Sequence, residues 1–199
     1  MLESIGIVAK DDPFTSRKLI FQTSRDDVQF MVIRATDVPT YVQFGAADMG
    51  VVGKDGLMEH GGESLCELLD LRISQCRLMT AVPSAKANEA RSTKQLRVAS
   101  KYVNLAQRYY QSQGVQAEII KLYGAMELAP LVGLADEIVD LVETGGTLKA
   151  NNLVAKDLIA NISSRLIANV ASMRVKHAGI AELTKQLADQ VAQRGDAEE

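Results

Sequence analysis

The sequence predicts an α/β protein with largely parallel sheets. Two observations carry this reading. Short apolar runs rich in β-branched residues, bounded by turn signals, alternate along the chain with helix-competent stretches that have their own start and stop residues. The 199 residues are 47% hydrophobic and 24% charged, enough to bury a good core as one or two small domains. The net charge is −3 with no basic block, which disfavours nucleic-acid binding. The only two cysteines, Cys66 and Cys76, lack metal-site spacing and read as reduced, partly buried thiols in the cytoplasm. No signal peptide and no bilayer-spanning apolar run is visible, so no membrane role is expected.

Taken in order, Met1 to Ile7 reads as the last turn of a helix closed by Gly6. Ser16-Arg17-Lys18 leads into an apolar strand ending at Phe21, and Val28–Ile33 is a second strand. Asp37 and Pro39 open a helix that Gly45 closes. Asp48–Gly53 is a short strand, Lys54-Asp55 begins the next turn, and His60 before Gly61 marks a helix end. Ile73–Pro83 reads as a long strand and Ser84–Lys94 as a polar surface connection. Leu96–Ser100 is a strand, a helix runs from Lys101-Tyr102 to Gly114, and Val115–Leu122 is the next strand. Ile180, Leu183, Leu187 and Val191 fall at helical spacing near the end, and the tail from Gln193 to Glu199 is polar. His60 reads as a helix-end residue without a catalytic role, and His177 has no Ser, Cys or carboxylate constellation to pair with it, so triad-type nucleophilic catalysis finds little support.

The most informative stretch is residues 127–148. Ala135–Val142 is a short buried strand, and Glu143-Thr144-Gly145-Gly146-Thr147 follows it, with helix-competent sequence from Leu148 onward. A strand, a glycine turn with hydroxyls and a helix start form an anion site, because glycines let backbone N–H groups converge and the hydroxyls add donors. Such turns also arise for capping and positive φ alone. Two carboxylates set this one apart. Asp140 lies inside the apolar strand, where an unpaired charge is costly, and Glu127 begins the preceding segment. Beside a phosphate they suit sugar hydroxyls or a metal; Asp140 could equally be a strand-end cap or a salt-bridge partner.

The register Glu127, Gly133, Ala135, Ile138, Asp140, Leu141, Thr144, Gly145, Thr147, Leu148 resembles the signature of the ATP phosphoribosyltransferase family. The likeness extends to Arg34, Asp37-Val38-Pro39, Asp48–Gly53, Lys54-Asp55 and Lys101-Tyr102. It implies a two-lobed fold of the type II periplasmic-binding-protein kind with a cleft between lobes. Strands near 76–83 and 163–170 would cross between the lobes, giving lobe I as 1–79 plus 164–199 and lobe II as 80–163. The short form of the family, without a C-terminal regulatory domain, is the one resembled. Family members open with a strand, a basic turn and a helix that have no counterpart here, as from a misplaced start, a cut chain or a natural short variant. The family favours Gly at Asn152, and Asn tolerates the positive φ this implies.

The resemblance implies condensation of N1 of the ATP adenine with phosphoribosyl pyrophosphate, releasing pyrophosphate, as the first step of histidine biosynthesis. Glu127 and Asp140 would hold ribose hydroxyls, and Thr144, Gly145, Gly146 and Thr147 the 5′-phosphate. Arg17 would face the leaving group, while Arg34, Lys54, Asp55 and Lys101 would lie near ATP. Mg²⁺ would be bound mainly through the substrate. A homodimer and a regulatory subunit resembling a histidyl-tRNA synthetase are implied partners. Without the resemblance, Arg34 and Asp55 read equally as a surface charge pair. Two other readings stand beside the enzyme: a two-lobed anion-binding or sensor module without chemistry, and an inactive subunit that lacks the opening segment.

Overall fold

The computed structural model describes residues 1–89 and 95–195. In chain order the strands and helices are β1 (Ile20–Gln22), β2 (Gln29–Met31), α1 (Val38–Gln43), β3 (Met49–Gly53), α2 (Lys54–His60), β4 (Leu65–Asp70), β5 (Cys76–Pro83), β6 (Leu96–Ser100), α3 (Val103–Ser112), β7 (Ala117–Lys121), α4 (Leu128–Leu131), β8 (Glu137–Val142), α5 (Gly146–Ala150), β9 (Leu153–Ile162), β10 (Ser164–Asn169), α6 (Val170–Val175) and α7 (His177–Gly195). They form two compact units, Met1–Ile73 with Ser163–Glu199, and Ser74–Ile162. The sequence reading divides the chain at 79/80 and 163/164; in the structure all of β5 belongs to the sheet of the second unit. Part of the expected surface connection, residues 90–94, and the tail residues 196–199 lie outside the described residues.

The first unit begins with a 3-10 turn at Glu3–Ile5 that ends at Gly6 in the left-handed conformation, φ 79°. The Gly6 N–H donates to the Glu3 carbonyl at 3.0 Å and the Ile7 N–H to the Leu2 carbonyl at 3.0 Å, the helix-end geometry that the sequence predicts. β1 and β2 pair antiparallel around the buried Phe21 and are shorter than the runs that suggested them. A three-stranded sheet in the order β3-β10-β4 is antiparallel at both pairings. Alternation along β10 sends Ile167 to a cluster with Val42, Val52 and Leu57, and Leu166 to one with Leu71, Leu187 and Val191. Helix α1 lies so close to β3 that a Cβ at Gly50 would come within 2.6 Å of Val38 and 2.8 Å of Val42, which explains the glycine there. The amphipathic reading of 180–191 is fulfilled: Ile180, Leu187 and Val191 are buried on α7.

The second unit is a five-stranded sheet in the order β7-β6-β8-β5-β9. β6 pairs parallel with β7 and β8, whereas β5 pairs antiparallel with β8 and β9. The expectation of largely parallel sheets is therefore corrected to mixed pairing. The cause is connectivity. The chain enters this unit on β5 and leaves it on β9, and Cys76 pairs with Ile162 where entry and exit meet, so the two strands must run in opposite directions. Ile138 and Val142 of β8 pack with Met79, Ala99, Met126, Leu148 and Leu153 in a core that pins α5 and the α4 region to the sheet. Inside this unit Tyr110 donates to the buried Glu137 at 2.7 Å, which satisfies a carboxylate that would be costly alone. Cys66 and Cys76 are both half-buried and not joined in a disulfide. Among the described residues no helix is long and apolar enough to cross a membrane.

Candidate functional site

The parallel strands β6, β7 and β8 end on one edge of the second unit's sheet, because Ser100 lies opposite Val139 and Lys121 in their registers. Carboxyl ends of parallel strands are where α/β sheets place ligands, since the following loops diverge there and helix starts point N–H groups outward. Four of the sequence-predicted features meet at this edge.

The first is the glycine turn. β8 stops at Val142, and α5 begins at Gly146, two residues earlier than the sequence suggests. Gly145 between them has φ 79° and ψ 4°, a conformation costly for any residue with a Cβ. The Gly146 N–H donates to the Thr144 hydroxyl at 3.4 Å, and the Lys149 N–H to the Gly145 carbonyl at 3.1 Å. Buried Leu148 anchors the turn, leaving Thr144, Gly146 and Thr147 exposed. The Thr147 carbonyl accepts from the Asn151 backbone at 3.2 Å and the Asn151 side chain at 2.9 Å, which closes α5. Asn152 then takes φ 55°, the positive value expected of a Gly substitute.

The second and third features are carboxylates. Asp140, half-buried on β8, accepts from the Leu141 N–H at 2.8 Å. Glu127 occupies the cap position of α4, yet its side chain makes no capping bond and stays half-buried at the start of that turn. The preceding loop reaches it through Ala125 at φ 50° and the buried Met126. The fourth feature is Lys101, exposed just past β6, with its ammonium 4.6 Å from the centroid of the Tyr102 ring. Tyr102 is held in turn: its N–H donates to the Ser100 hydroxyl at 2.9 Å, and that hydroxyl donates to the Val139 carbonyl at 2.7 Å. Ser100 ties β6 to β8 beneath the site, and nothing in the sequence marked it.

The remaining predicted residues lie in the first unit. Arg17 is exposed on the loop before β1, next to a turn in which the Asp12 carboxylate accepts from Phe14 and Thr15. Arg34 is exposed, and its carbonyl accepts the Asp37 N–H at 2.9 Å. Asp37 itself occupies the cap position of α1 but makes no side-chain capping bond. Lys54 and Asp55 form the first turn of α2. The Lys54 N–H donates to the Ser163 carbonyl at 3.0 Å and its ammonium pairs with Glu67. The structure thus groups Lys54 with Asp55, and Lys101 with Glu127, Asp140 and Thr144–Thr147. Sequence reasoning gave no sign of Glu67, which pairs with Lys54, or of Arg165, which pairs with Glu67; each lies on a strand whose residues give no hint of the partner across the sheet.

An ion pair with several hydrogen bonds lies at the other end of these strands. The Arg97 backbone N–H and guanidinium both donate to Asp136, at 3.0 Å and 3.2 Å. Burial pushes the Asp136 carboxyl up, but the Arg97 amide and guanidinium outweigh it and hold the group below its ordinary value. This pair starts β8; it is remote from the glycine turn.

The fold class is the type II periplasmic-binding-protein-like fold. Similar folds are found in Tv2483 bound to L-arginine (TM-score 0.55, 13% identity, 85% of this chain and 69% of that one) and in the ancestral amino acid-binding protein AncCDT-1 (TM-score 0.55, 12% identity, 84% and 71%). Within that class the likeness narrows. A family profile described as HisG: ATP phosphoribosyltransferase matches residues 34–189. An ATP phosphoribosyltransferase of Marinobacter nauticus is 57% identical over 197 residues, covering 99% of this chain and 91% of the relative. One of Methylococcus capsulatus is 58% identical over 198 residues, covering 100% and 92%. The ATP phosphoribosyl transferase (HisG:HisZ) complex from Thermotoga maritima contains a chain with TM-score 0.83 and 32% identity, covering 96% of this chain and 90% of that one. The chain belongs to the ATP phosphoribosyltransferase family, the transferases of the first step of histidine biosynthesis.

Proposed function

We propose that this chain binds phosphoribosyl pyrophosphate at the edge formed by β6 and β8 and transfers its phosphoribosyl group to N1 of ATP. The adenine N1 lone pair forms a bond to ribose C1 while the bond from C1 to the pyrophosphate oxygen breaks. Positive charge grows on the ribose as that bond lengthens, so the site must position two substrates and balance charge; no side-chain nucleophile is needed. The observation that carries this reading is the left-handed Gly145 turn leading from β8 into α5, with the hydroxyls of Thr144 and Thr147 exposed beside it.

In this reading Thr144, Gly145, Gly146 and Thr147 hold the 5′-phosphate. Asp140 and Glu127 hold ribose hydroxyls, and their negative charge favours the cationic transition state. Arg17 meets the pyrophosphate, for which a planar guanidinium fork is suited. Arg34, Lys54, Asp55 and Lys101 attend the nucleotide. Mg²⁺ would arrive mainly bound to phosphoribosyl pyrophosphate and would offset the negative charge of its phosphates. Assembly with a second copy and with a regulatory subunit in the cytoplasm is part of the proposal; the Thermotoga maritima relative is itself described as a HisG:HisZ complex.

Turnover with ATP, phosphoribosyl pyrophosphate and Mg²⁺, followed by the ultraviolet change on N1 substitution of adenine, tests the reading directly. Product formation by the chain, alone or with its regulatory subunit, is the expected result. Binding of the sugar phosphate with no turnover in either case would instead favour an anion-binding module.

A further inference from the structure

The ammonium assigned above to the nucleotide is held in place by the protein itself. Lys54 Nζ forms an ion pair with Glu67 Oε2. The other oxygen of the same carboxylate, Oε1, lies 3.3 Å from Arg165 Nη1, which also lies 3.0 Å from Asp70 Oδ2. Asp70 in turn accepts from the Ser163 hydroxyl at 2.7 Å and from the Arg72 N–H at 2.9 Å. These charges cross the whole three-stranded sheet: Lys54 follows β3, Arg165 sits on the central β10, and Glu67 and Asp70 sit on β4.

The Lys54–Glu67 pair differs from an ordinary surface pair. Its side chains are 29% and 31% exposed, against 62% and 49% for Lys18 and Asp11. Reduced contact with water lessens screening and keeps such a pair together. The lysine is also fixed at its backbone, through the bond from its N–H to Ser163. A lysine ammonium has three donors, so one spent on Glu67 leaves two for a phosphate. Arg165 divides its charge between Glu67 and Asp70, so it offsets part of the negative charge that Glu67 sets against Lys54 and fixes the carboxylate from its other oxygen.

We infer that Glu67 is a positioning residue for the phosphates of the nucleotide substrate: it holds the Lys54 ammonium in place, and Arg165 fixes Glu67. The inference rests on the assignment of Lys54 to the nucleotide. Ordering a free lysine side chain on binding costs rotamer entropy, and here that cost is met on folding. Loss of the Glu67 charge therefore falls on ATP binding.

The test is steady-state kinetics of the full chain with its regulatory subunit, comparing Glu67→Gln, Glu67→Asp and Lys54→Met, with thermal unfolding measured alongside. Glu67→Gln is expected to raise KM for ATP about tenfold while KM for phosphoribosyl pyrophosphate and kcat stay within about twofold. Glu67→Asp, which keeps the charge, is expected to recover most of the ATP affinity. The double variant Lys54→Met, Glu67→Gln should be no worse than Lys54→Met alone, because both act through one ammonium. An unchanged KM for ATP in Glu67→Gln beside a raised one in Lys54→Met overturns the inference and leaves the Lys54 assignment standing. An equal loss for both substrates with a lowered melting temperature, not relieved by Glu67→Asp, also overturns it, since Glu67 would then serve the sheet alone. An unchanged KM for ATP in Lys54→Met overturns the assignment on which the inference rests.

Discussion

At the scale of single residues, function and stability are held by side chains with more than one bond. Asn169, at the end of β10, accepts from the Ala171 and Ser172 N–H groups at 2.8 Å and 3.0 Å and so caps α6. Its amide also donates to the Val42 and Gln43 carbonyls at 2.8 Å and 2.9 Å, at the end of α1. Asn169→Ala removes the cap of α6 and both side-chain bonds to the end of α1, so a loss of about 2–4 kcal/mol in denaturant unfolding is expected. Thr147 stands at the other extreme, exposed and free of the core. Thr147→Val removes a hydroxyl and keeps the shape. It should weaken phosphoribosyl pyrophosphate binding by about tenfold with the fold intact, as read by titration calorimetry; an unchanged affinity would sink the phosphate-loop assignment.

At the scale of elements, β10 and α7 decide whether the first unit is one body. The chain returns from the second unit and inserts β10 between β3 and β4, so strands from the two ends of the sequence are joined by its hydrogen bonds. α7 then covers one face of this sheet, with Leu187 3% exposed against Leu71 and Leu166. Leu187→Ala should cost about 2–4 kcal/mol through lost burial and the cavity left behind. Limited proteolysis should show the loss as earlier cleavage within α7, with little change in the fragment pattern of the second unit. In the second unit, the corresponding decision falls to β8, which joins parallel β6 to antiparallel β5 and ends in the glycine turn.

At the scale of the whole molecule, three carboxylates make the fold acid-sensitive. Burial pushes Asp48 up, but Lys176 and the Ser172 hydroxyl outweigh it and leave the group below its ordinary value. Asp70 behaves in the same way through burial against the Arg72 N–H, the Ser163 hydroxyl and Arg165, and Asp136 through burial against Arg97. A folded value below the unfolded one means that the unfolded chain binds more protons in the window between them. The stabilisation is therefore complete above the ordinary carboxylate value and is lost as pH falls through the depressed values. Each pair is partly exposed, so each contributes about 1 kcal/mol or less after screening. Melting temperature measured from pH 7 downwards should hold steady to about pH 5 and then fall. Because Asp48 and Asp70 belong to the first unit and Asp136 to the second, both units should lose stability over the same range.

Local chemistry was legible in the sequence. The strand 137–142, the helix at the chain's end, the glycine turn and the left-handed Gly6 all follow from periodicity, side-chain shape and Cβ sterics within a few residues, and the positive φ of Asn152 followed from the family's preference for Gly there. So did the family register around Asp140 and Thr144–Thr147. Long-range pairing was not legible. The antiparallel partners of β5, the insertion of β10 between β3 and β4, and the bridge from Lys54 through Glu67 to Arg165 join residues far apart in the chain. Alternating strand residues look alike whichever strand lies beside them, because a side-chain pattern fixes the face that a residue shows and not its neighbour across the sheet. That choice belongs to the packing of the cores, and with it the setting in which Lys54 and Asp140 present their charge.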